Sequence, residues 1–274
     1  MDPSWPTGRR SARTERVIRR AVRPLVRLLF RPTLVGTEHL PREGPYLLVA
    51  NHSAGLGLAE LASFAALFEE AVGGPMAGFA HPLGFKVWPV RQAHRALGSI
   101  PSTYEAAADA LAAGVPLLVF PGGDHETLRP IWQAGRVDFG GRRGFVRIAR
   151  SAGVPIVPMG IRGSHYTVPM LCRARWLAWV LVVPRLLGIK RWGVGLLGAL
   201  GAAALLSSGL AWPLKGLLAW LWLALPFQFI PLIPWTIRLR IGPPLTGFEG
   251  DDEASLAAGR DRVQAAVQAL VSSA

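Results

Sequence analysis

The sequence is poor in cysteine and in acidic residues. Its single cysteine, Cys172, excludes an intramolecular disulfide framework and a cysteine-rich metal site, and we expect it to be a small packing residue. Charged residues occupy only 17% of the 274 positions, against roughly 25% in soluble domains, and 51% of positions are hydrophobic. With 17 acidic and 30 basic residues, the net charge is +13. This composition argues against an ordinary cytosolic enzyme and predicts an anionic partner.

The excess of apolar residues favours a membrane as that partner. Nucleic acid is not predicted, because no reading module with interleaved aromatic residues is present. No metal is predicted either, because the six histidines lack the spacing of metal ligands. The arginine-rich N-terminus lacks the apolar core of a cleavable signal. We therefore expect a membrane-associated protein on the cytoplasmic face, in contact with a membrane surface.

Residues 1–31 are interpreted as a basic amphipathic arm. Residues 1–14 are expected to be disordered, and a helix is predicted over 13–30. Apolar residues from Val17 to Leu28 share one face of this helix and arginines cover the rest, a pattern suited to an anionic lipid surface. The alternative is a solvated arm that contacts acidic groups elsewhere.

Apolar runs and helical segments alternate over residues 32–250. Strands are predicted at 46–50, 76–80, 115–120, 154–161 and 235–241, and helices at 59–71, 102–114 and 142–152, followed by a C-terminal helix within 251–274. Ser102 and Glu105 are expected to cap the second of these helices. The predicted fold class is α/β, with a mixed, largely parallel sheet flanked by helices.

An apolar insert interrupts this pattern at about 174–234. Residues 192–214 and 216–237 are uncharged, and each stretch is long enough to cross a bilayer as a helix. Glycines and prolines in both stretches make a helical hairpin that dips into one leaflet an equal alternative. We predict an apolar, helical, membrane-associated insert, with a buried hydrophobic subdomain as the alternative.

The chemistry is expected at the carboxyl ends of the strands, where open α/β sheets place their sites. His52 follows the first strand, and imidazole can move a proton near neutral pH. A loop histidine that only caps backbone groups is the alternative. Further loops at 98–101 and 120–130 are expected at the same edge. Their paired glycines allow backbone N–H groups to approach an anion, and Arg129 could supply charge.

Four motifs resemble those of the glycerolipid acyltransferase superfamily, the lysophosphatidate acyltransferase-like enzymes. They are GPYLLVANHS (44–53), LGSIPS (97–102), VFPGGDHE (119–126) and VPIVPMGIRGSH (154–165). The form PGG followed by Glu126 is closer to the diacylglycerol acyltransferase-like branch.

The resemblance implies an acyltransferase domain over 32–250 and a membrane-associated O-acyltransferase. His52 would be the general base, acyl-CoA or acyl carrier protein the donor, and a hydroxyl of a membrane lipid the acceptor, with no cofactor. The residues implied in substrate binding are Asn51, Ser53, Gly98, Ile100, Pro101, Pro121, Gly122, Gly123 and Arg129.

One position departs from the family pattern, in which an aspartate follows the histidine after four intervening residues. Here that position is Gly57. Glu60 lies about 12 Å along a continuous helix, and could reach His52 only through a compact loop at 53–58. Glu126, from the neighbouring strand's loop, needs no such folding and is the favoured site residue.

Because Gly57 stands where the family has an aspartate, further hypotheses remain for this chain. One is an unassisted base, and another is a non-catalytic lipid-binding protein on the same fold. A lipid ester hydrolase is disfavoured, because no GxSxG nucleophile elbow is present.

Overall fold

The computed structural model describes residue 5, residues 7–53 and residues 55–274. In this part of the chain, nine strands form a seven-stranded sheet and a two-stranded ribbon. The strands are β1 Thr33–Val35, β2 Leu47–Ala50, β3 Ala77–Ala80, β4 Ile100–Pro101, β5 Leu117–Val119, β6 Ile156–Arg162, β7 Met170–Ala174, β8 Trp192–Gly195 and β9 Arg238–Ile241.

The large sheet has the order β1-β9-β6-β2-β5-β3-β4. Strands β6, β2, β5, β3 and β4 run parallel, β9 runs antiparallel to β6, and β1 pairs in parallel with β9. The predicted mixed, largely parallel sheet is therefore confirmed. The ribbon pairs β7 with β8 in antiparallel register and belongs to the insert.

The helices are α1 Ala12–Val17, α2 Arg23–Phe30, α3 Leu58–Ala71, α4 Val90–Leu97, α5 Tyr104–Ala112, α6 Gly123–Thr127, α7 Gly144–Ala152, α8 Arg175–Val180, α9 Val183–Leu186, α10 Leu196–Leu206, α11 Trp212–Ala224 and α12 Glu253–Ser272. The cap of α5 lies one residue later than predicted. The Thr103 hydroxyl accepts a hydrogen bond from the Ala106 N–H at 3.2 Å.

Both faces of the large sheet are buried under helices. In β2, Leu47 and Val49 point into a core formed with α5, α7 and α12, whereas Leu48 and Ala50 point into a core formed with α2 and α3. Because a strand sends alternate side chains to opposite faces, a strand buried on both faces is apolar throughout. This explains why the runs that become β2, β5 and β6 are recognisable in the sequence.

The N-terminal arm is more ordered than predicted. The Gly8 N–H donates to the Gly98 carbonyl at 2.8 Å, and the Trp5 indole donates to the Ser99 carbonyl at 2.7 Å. Disorder over the whole of 1–14 is therefore wrong, although residues 1–4 and 6 lie outside the described residues. The helix predicted at 13–30 is present as α1 and α2, joined by a π-helical turn over Ile18–Val22.

The insert has its own small core, in which Trp192 and Phe229 meet edge to face. Its uncharged stretches form two shorter helices, α10 of 11 residues and α11 of 13 residues, packed against each other as a hairpin. Among the described residues, no helix is both long and apolar enough to span a membrane. Neither 192–214 nor 216–237 is one continuous helix. Cys172 is exposed on β7, which overturns its expected packing role.

Candidate active site

Asn51 joins the ends of two central strands directly before the candidate base. Its side-chain amide donates to the Ile161 carbonyl at 2.8 Å and accepts from the Ile161 N–H at 2.7 Å. The side chain is buried. Asn51 therefore links β2 to β6 and fixes the start of the histidine loop, instead of lining a substrate site.

His52 is paired with Glu60. The imidazole Nδ1 is hydrogen-bonded to Glu60 Oε1, and the carboxylate lies in the first turn of α3 with no exposed surface. Glu60 also accepts from the Ser53 N–H at 3.0 Å, the Ser53 hydroxyl at 2.9 Å and the Ser164 hydroxyl at 2.9 Å. These donors hold the carboxylate in one position, and the carboxylate holds the imidazole.

Gly57 makes this pairing possible. Its φ of +71° is left-handed, and it ends a compact turn from which α3 starts at Leu58. A Cβ atom at position 57 would lie 2.1 Å from His52 Cε1 and 3.0 Å from Glu60 Oε1. An aspartate at 57 therefore cannot coexist with the observed arrangement. The carboxylate that the family pattern carries at this position is provided from position 60.

Glu126 supports the histidine loop from the neighbouring strand. One carboxylate oxygen accepts from the His52 backbone N–H at 2.9 Å, and the other accepts from the Asp138 N–H at 2.9 Å. Glu126 contacts the backbone of His52 and not its imidazole. It is therefore not the carboxylate partner of His52, the role that the sequence favoured for it. Burial raises the pKa of Glu126 to about 7, against the opposing effect of these N–H groups and of Arg129.

Gly122 is required by the position of Glu126. A Cβ atom on Gly122 would lie 2.2 Å from the Glu126 side chain. The Arg142 guanidinium holds the same loop, because it donates to the carbonyls of Pro121, at 2.9 Å, and Gly122. Gly122 and Gly123 thus allow the backbone of the loop to approach the side chains of Glu126 and Arg142 closely.

Arg129 and His165 are buried beside the pair. The Arg129 guanidinium lies 3.7 Å from a Glu126 oxygen, and none of its nitrogens has a hydrogen-bond partner among the described residues. Burial, followed by the positive charges of Arg129 and His52, lowers the pKa of His165 to about 3. His165 is therefore neutral near pH 7. Its signal in the sequence was the GSH that ends the fourth motif.

A cavity of about 590 Å³ opens in front of His52. His52 is 14% exposed there, and its ring stacks on Phe120 with centroids 4.3 Å apart. Among the described residues, no hydrogen bond involves Nε2, so this nitrogen is available to a ligand. The cavity is also lined by Pro121, Gly123, Arg142, Ser102, Thr103, Tyr104, Ile189 and Lys190.

Several predicted substrate-binding residues do not line this cavity. Ile100 is fully buried within the sheet, and Gly98 is the left-handed residue that ends α4. The wall comes instead from residues 102–104, directly after β4. Arg129 is buried behind the cavity, and Ser53 serves the Glu60 carboxylate. Lys190, contributed by the insert, had no signal in the sequence.

Among the described residues, no group of three or more histidine, cysteine, aspartate and glutamate side chains is arranged to hold a metal ion. The groups at this site that can take part in chemistry are the imidazole, the two buried glutamates and the backbone around the cavity.

These elements match a known family. Residues 31–162 match the Acyltransferase family model. The matched segment is just under half of the chain and contains His52, Gly57, Glu60, Glu126 and Arg129.

Two relatives and one solved structure are also similar to this chain. Uncharacterized proteins of Mycobacterium bovis and Mycobacterium tuberculosis are 32% identical over 168 residues, which cover 60% of this chain and 47% of theirs. This chain thus aligns with about half the length of those relatives. The 1-acyl-sn-glycerophosphate (LPA) acyltransferase PlsC from Thermotoga maritima shares the fold, with a TM-score of 0.51 and 18% identity over 94% of this chain and 81% of that one. The family match is thus confined to residues 31–162, and the solved structure shows a shared fold.

Proposed function

We propose that this protein is a membrane-associated O-acyltransferase that moves an acyl group from a thioester to a lipid hydroxyl. The observation that carries the proposal is the His52–Glu60 pair at a cavity of about 590 Å³. With Nδ1 held by a buried carboxylate, Nε2 is left as the acceptor of a proton.

In the proposed reaction, His52 Nε2 takes the proton of the acceptor hydroxyl while the oxygen attacks the thioester carbonyl carbon. The tetrahedral intermediate collapses by breaking the carbon–sulfur bond. The thiolate leaves and takes the proton from the imidazolium, so no covalent acyl-enzyme forms. Glu60 stabilises the imidazolium, and backbone of the glycine loop at 121–123, which lines the same cavity, stabilises the oxyanion.

The donor we propose is acyl-CoA or acyl carrier protein, and the acceptor is a glycerolipid or related lipid. Lys190 lines the cavity and provides positive charge suited to a phosphate-bearing substrate, whereas the Arg142 guanidinium in the same wall is paired with Asp124 at 2.5 Å. The PGG form of the loop, with Glu126 behind it, favours the diacylglycerol acyltransferase-like branch over enzymes with the FPEGTR form.

Action on the cytoplasmic face of a membrane is proposed from two exposed apolar surfaces. On the arm, the Leu28 side chain is 75% exposed. On the insert, Trp212 and Trp179 are exposed and lie against the cationic groups of Lys215 and Arg185. Tryptophan beside a basic side chain is typical of proteins that lie in the headgroup region of a bilayer.

The proposal is tested by measuring free thiol released from acyl-CoA in the presence of a mixed lipid acceptor. We expect release by the wild type and by His39→Ala, a histidine substitution outside the cavity, and none by His52→Ala at unchanged melting temperature. Unchanged release by His52→Ala would refute the mechanism. Lipid binding without thiol release in any donor and acceptor pair would favour the lipid-binding alternative, and release without an acceptor would indicate a hydrolase.

A further inference from the structure

A second polar cavity, of about 370 Å³, lies outside the active site. Three of the side chains that line it are arginines, Arg31, Arg162 and Arg238. The rings of Tyr166 and Trp235 lie beside them, tilted by 32° to each other, with centroids 4.7 Å apart. No acidic residue of the described chain lines this cavity, so it has strongly basic walls.

The sheet itself sets two of these charges against each other. Arg162 on β6 and Arg238 on β9 are direct partners in the antiparallel register. Like charges directly opposite one another destabilise a strand pair. One nitrogen of Arg162 donates to carbonyls at the end of α12, at 3.1–3.4 Å. Within the described residues, neither arginine pairs with an aspartate or glutamate side chain, so no acidic side chain neutralises the repulsion.

The third arginine occupies a backbone conformation that favours glycine. Arg31 ends α2 with a φ of +37°, and its side chain makes no hydrogen bond or ion pair among the described residues. A left-handed residue at a helix end is usually glycine, because a Cβ atom strains it. Arg31 therefore places a positive charge in a strained backbone conformation, and the fold of α2 does not require an arginine at this position.

The cavity lies where the two exposed apolar segments meet. The Trp235 N–H donates to the Leu29 carbonyl at 3.1 Å, and the Ile237 N–H donates to the Phe30 carbonyl at 2.9 Å. These bonds join the end of the arm to the chain that returns from the insert. The exposed side chains of Leu28 and Leu232 belong to these two segments.

We propose that this arginine pocket binds the phosphate group of an anionic membrane lipid. Guanidinium groups bind phosphate oxygens through paired hydrogen bonds, and the neighbouring aromatic rings suit the headgroup region. The bound phosphate would neutralise the opposed pair on β6 and β9. The inference rests on the proposed action at a membrane, but not on acyl transfer, because lipid binding is measured without an acyl donor.

The test is sedimentation of the full chain with phosphatidylcholine vesicles, with and without phosphatidate. Arg238→Gln is expected to lower the affinity for the phosphatidate vesicles by about tenfold, which corresponds to the loss of one charge-assisted contact. The matched control is Arg42→Gln, which removes one exposed charge from the loop before the amino end of β2, whereas Arg162 lies at the carboxyl end of the parallel strand β6. The control is expected to lower the affinity by about twofold or less, because distant charges are screened.

Arg31→Gly separates binding from folding. It is expected to keep or raise the melting temperature, since glycine relieves the left-handed strain, while lowering vesicle affinity as Arg238→Gln does. Equal losses in Arg42→Gln and Arg238→Gln, or wild-type affinity in both pocket variants, would overturn the proposal. Inorganic phosphate that binds the pocket as tightly as the vesicles do would overturn the assignment to a membrane lipid.

Discussion

Glu60→Gln tests the orientation of the catalytic imidazole. Glu60 Oε2 accepts from two hydroxyls, and Oε1 faces His52 Nδ1. The Ser53 N–H lies between the two oxygens, 3.0 Å from Oε1 and 3.2 Å from Oε2. A glutamine of the same shape keeps its carbonyl oxygen toward these donors, which turns its NH2 group toward Nδ1. Nδ1 must then accept a hydrogen bond, and the proton moves to Nε2. The imidazole is left in the tautomer that cannot act as a base.

The expected loss follows from that tautomer change. In the serine protease template, the equivalent neutralisation lowers turnover by about 10⁴-fold. We expect kcat to fall by about 10²- to 10⁴-fold, or roughly 3–5 kcal/mol of barrier, with little change in KM. The free energy of unfolding should fall by about 1–3 kcal/mol, because a charge-assisted network is weakened.

The assay is thiol release under saturating donor, with urea denaturation of the same preparations. The matched control is Glu70→Gln on the same helix, where the carboxylate is exposed and pairs with Arg27 at 2.7 Å. Loss of that surface pair costs about 1 kcal/mol or less and should leave kcat unchanged. Wild-type turnover in folded Glu60→Gln would refute the assigned role of Glu60.

Three further predictions concern the residues around this pair. Gly57→Ala should lower kcat at least about 10²-fold, because the new methyl group displaces the imidazole. The control Gly114→Ala, with φ of +76° and open space around the residue, should lower only the free energy of unfolding, by roughly 1–2 kcal/mol of left-handed strain. Equal turnover in the two variants would contradict the steric argument. Asn51→Ala should lower the free energy of unfolding in urea by about 2–4 kcal/mol, because both backbone groups of Ile161 lose their partner, and a loss below about 1 kcal/mol would contradict the clamp. Burial raises the pKa of Glu126 from 4.5 to about 7, so the folded state binds the proton of this carboxyl more tightly than the unfolded state does. Proton binding therefore adds roughly 3 kcal/mol to the free energy of unfolding below pH 4.5, and this contribution is lost as the pH rises through 7. Denaturation of Glu126→Gln between pH 4.5 and 8 should show a smaller fall than the wild type, and parallel curves would exclude this titration.

Three of the five strands that sequence reasoning identifies, β2, β5 and β6, are buried on both faces. Leu47 to Ala50 and Leu117 to Val119 are uninterrupted apolar runs between helical segments, and no other element fits them. The short β1 and β4 are missed because three and two residues carry no periodicity. Hydrophobicity also overestimates helix length in the insert. Residues 207–211 separate α10 from α11, and Pro213 starts the second helix.

The residues of the candidate site also divide into those that the sequence predicts and those that only the structure reveals. His52 is predictable because its strand is, and the glycines at 122 and 123 follow a second predictable strand. The choice of Glu60 over Glu126 depends on the turn at Gly57, which sequence spacing does not determine. The insert's contribution of Lys190 depends on tertiary packing alone.

The central claim is that His52 acts as the base when an acyl group is transferred to a lipid, and the most direct measurement is the mass of the lipid product. The full chain is incubated with one acyl-CoA and a membrane lipid extract, and acylated lipid and free thiol are quantified together by mass spectrometry. The account predicts one acylated lipid for each thiol released by the wild type, and neither product from folded His52→Ala. Thiol without acylated lipid, or equal product from His52→Ala, would contradict it.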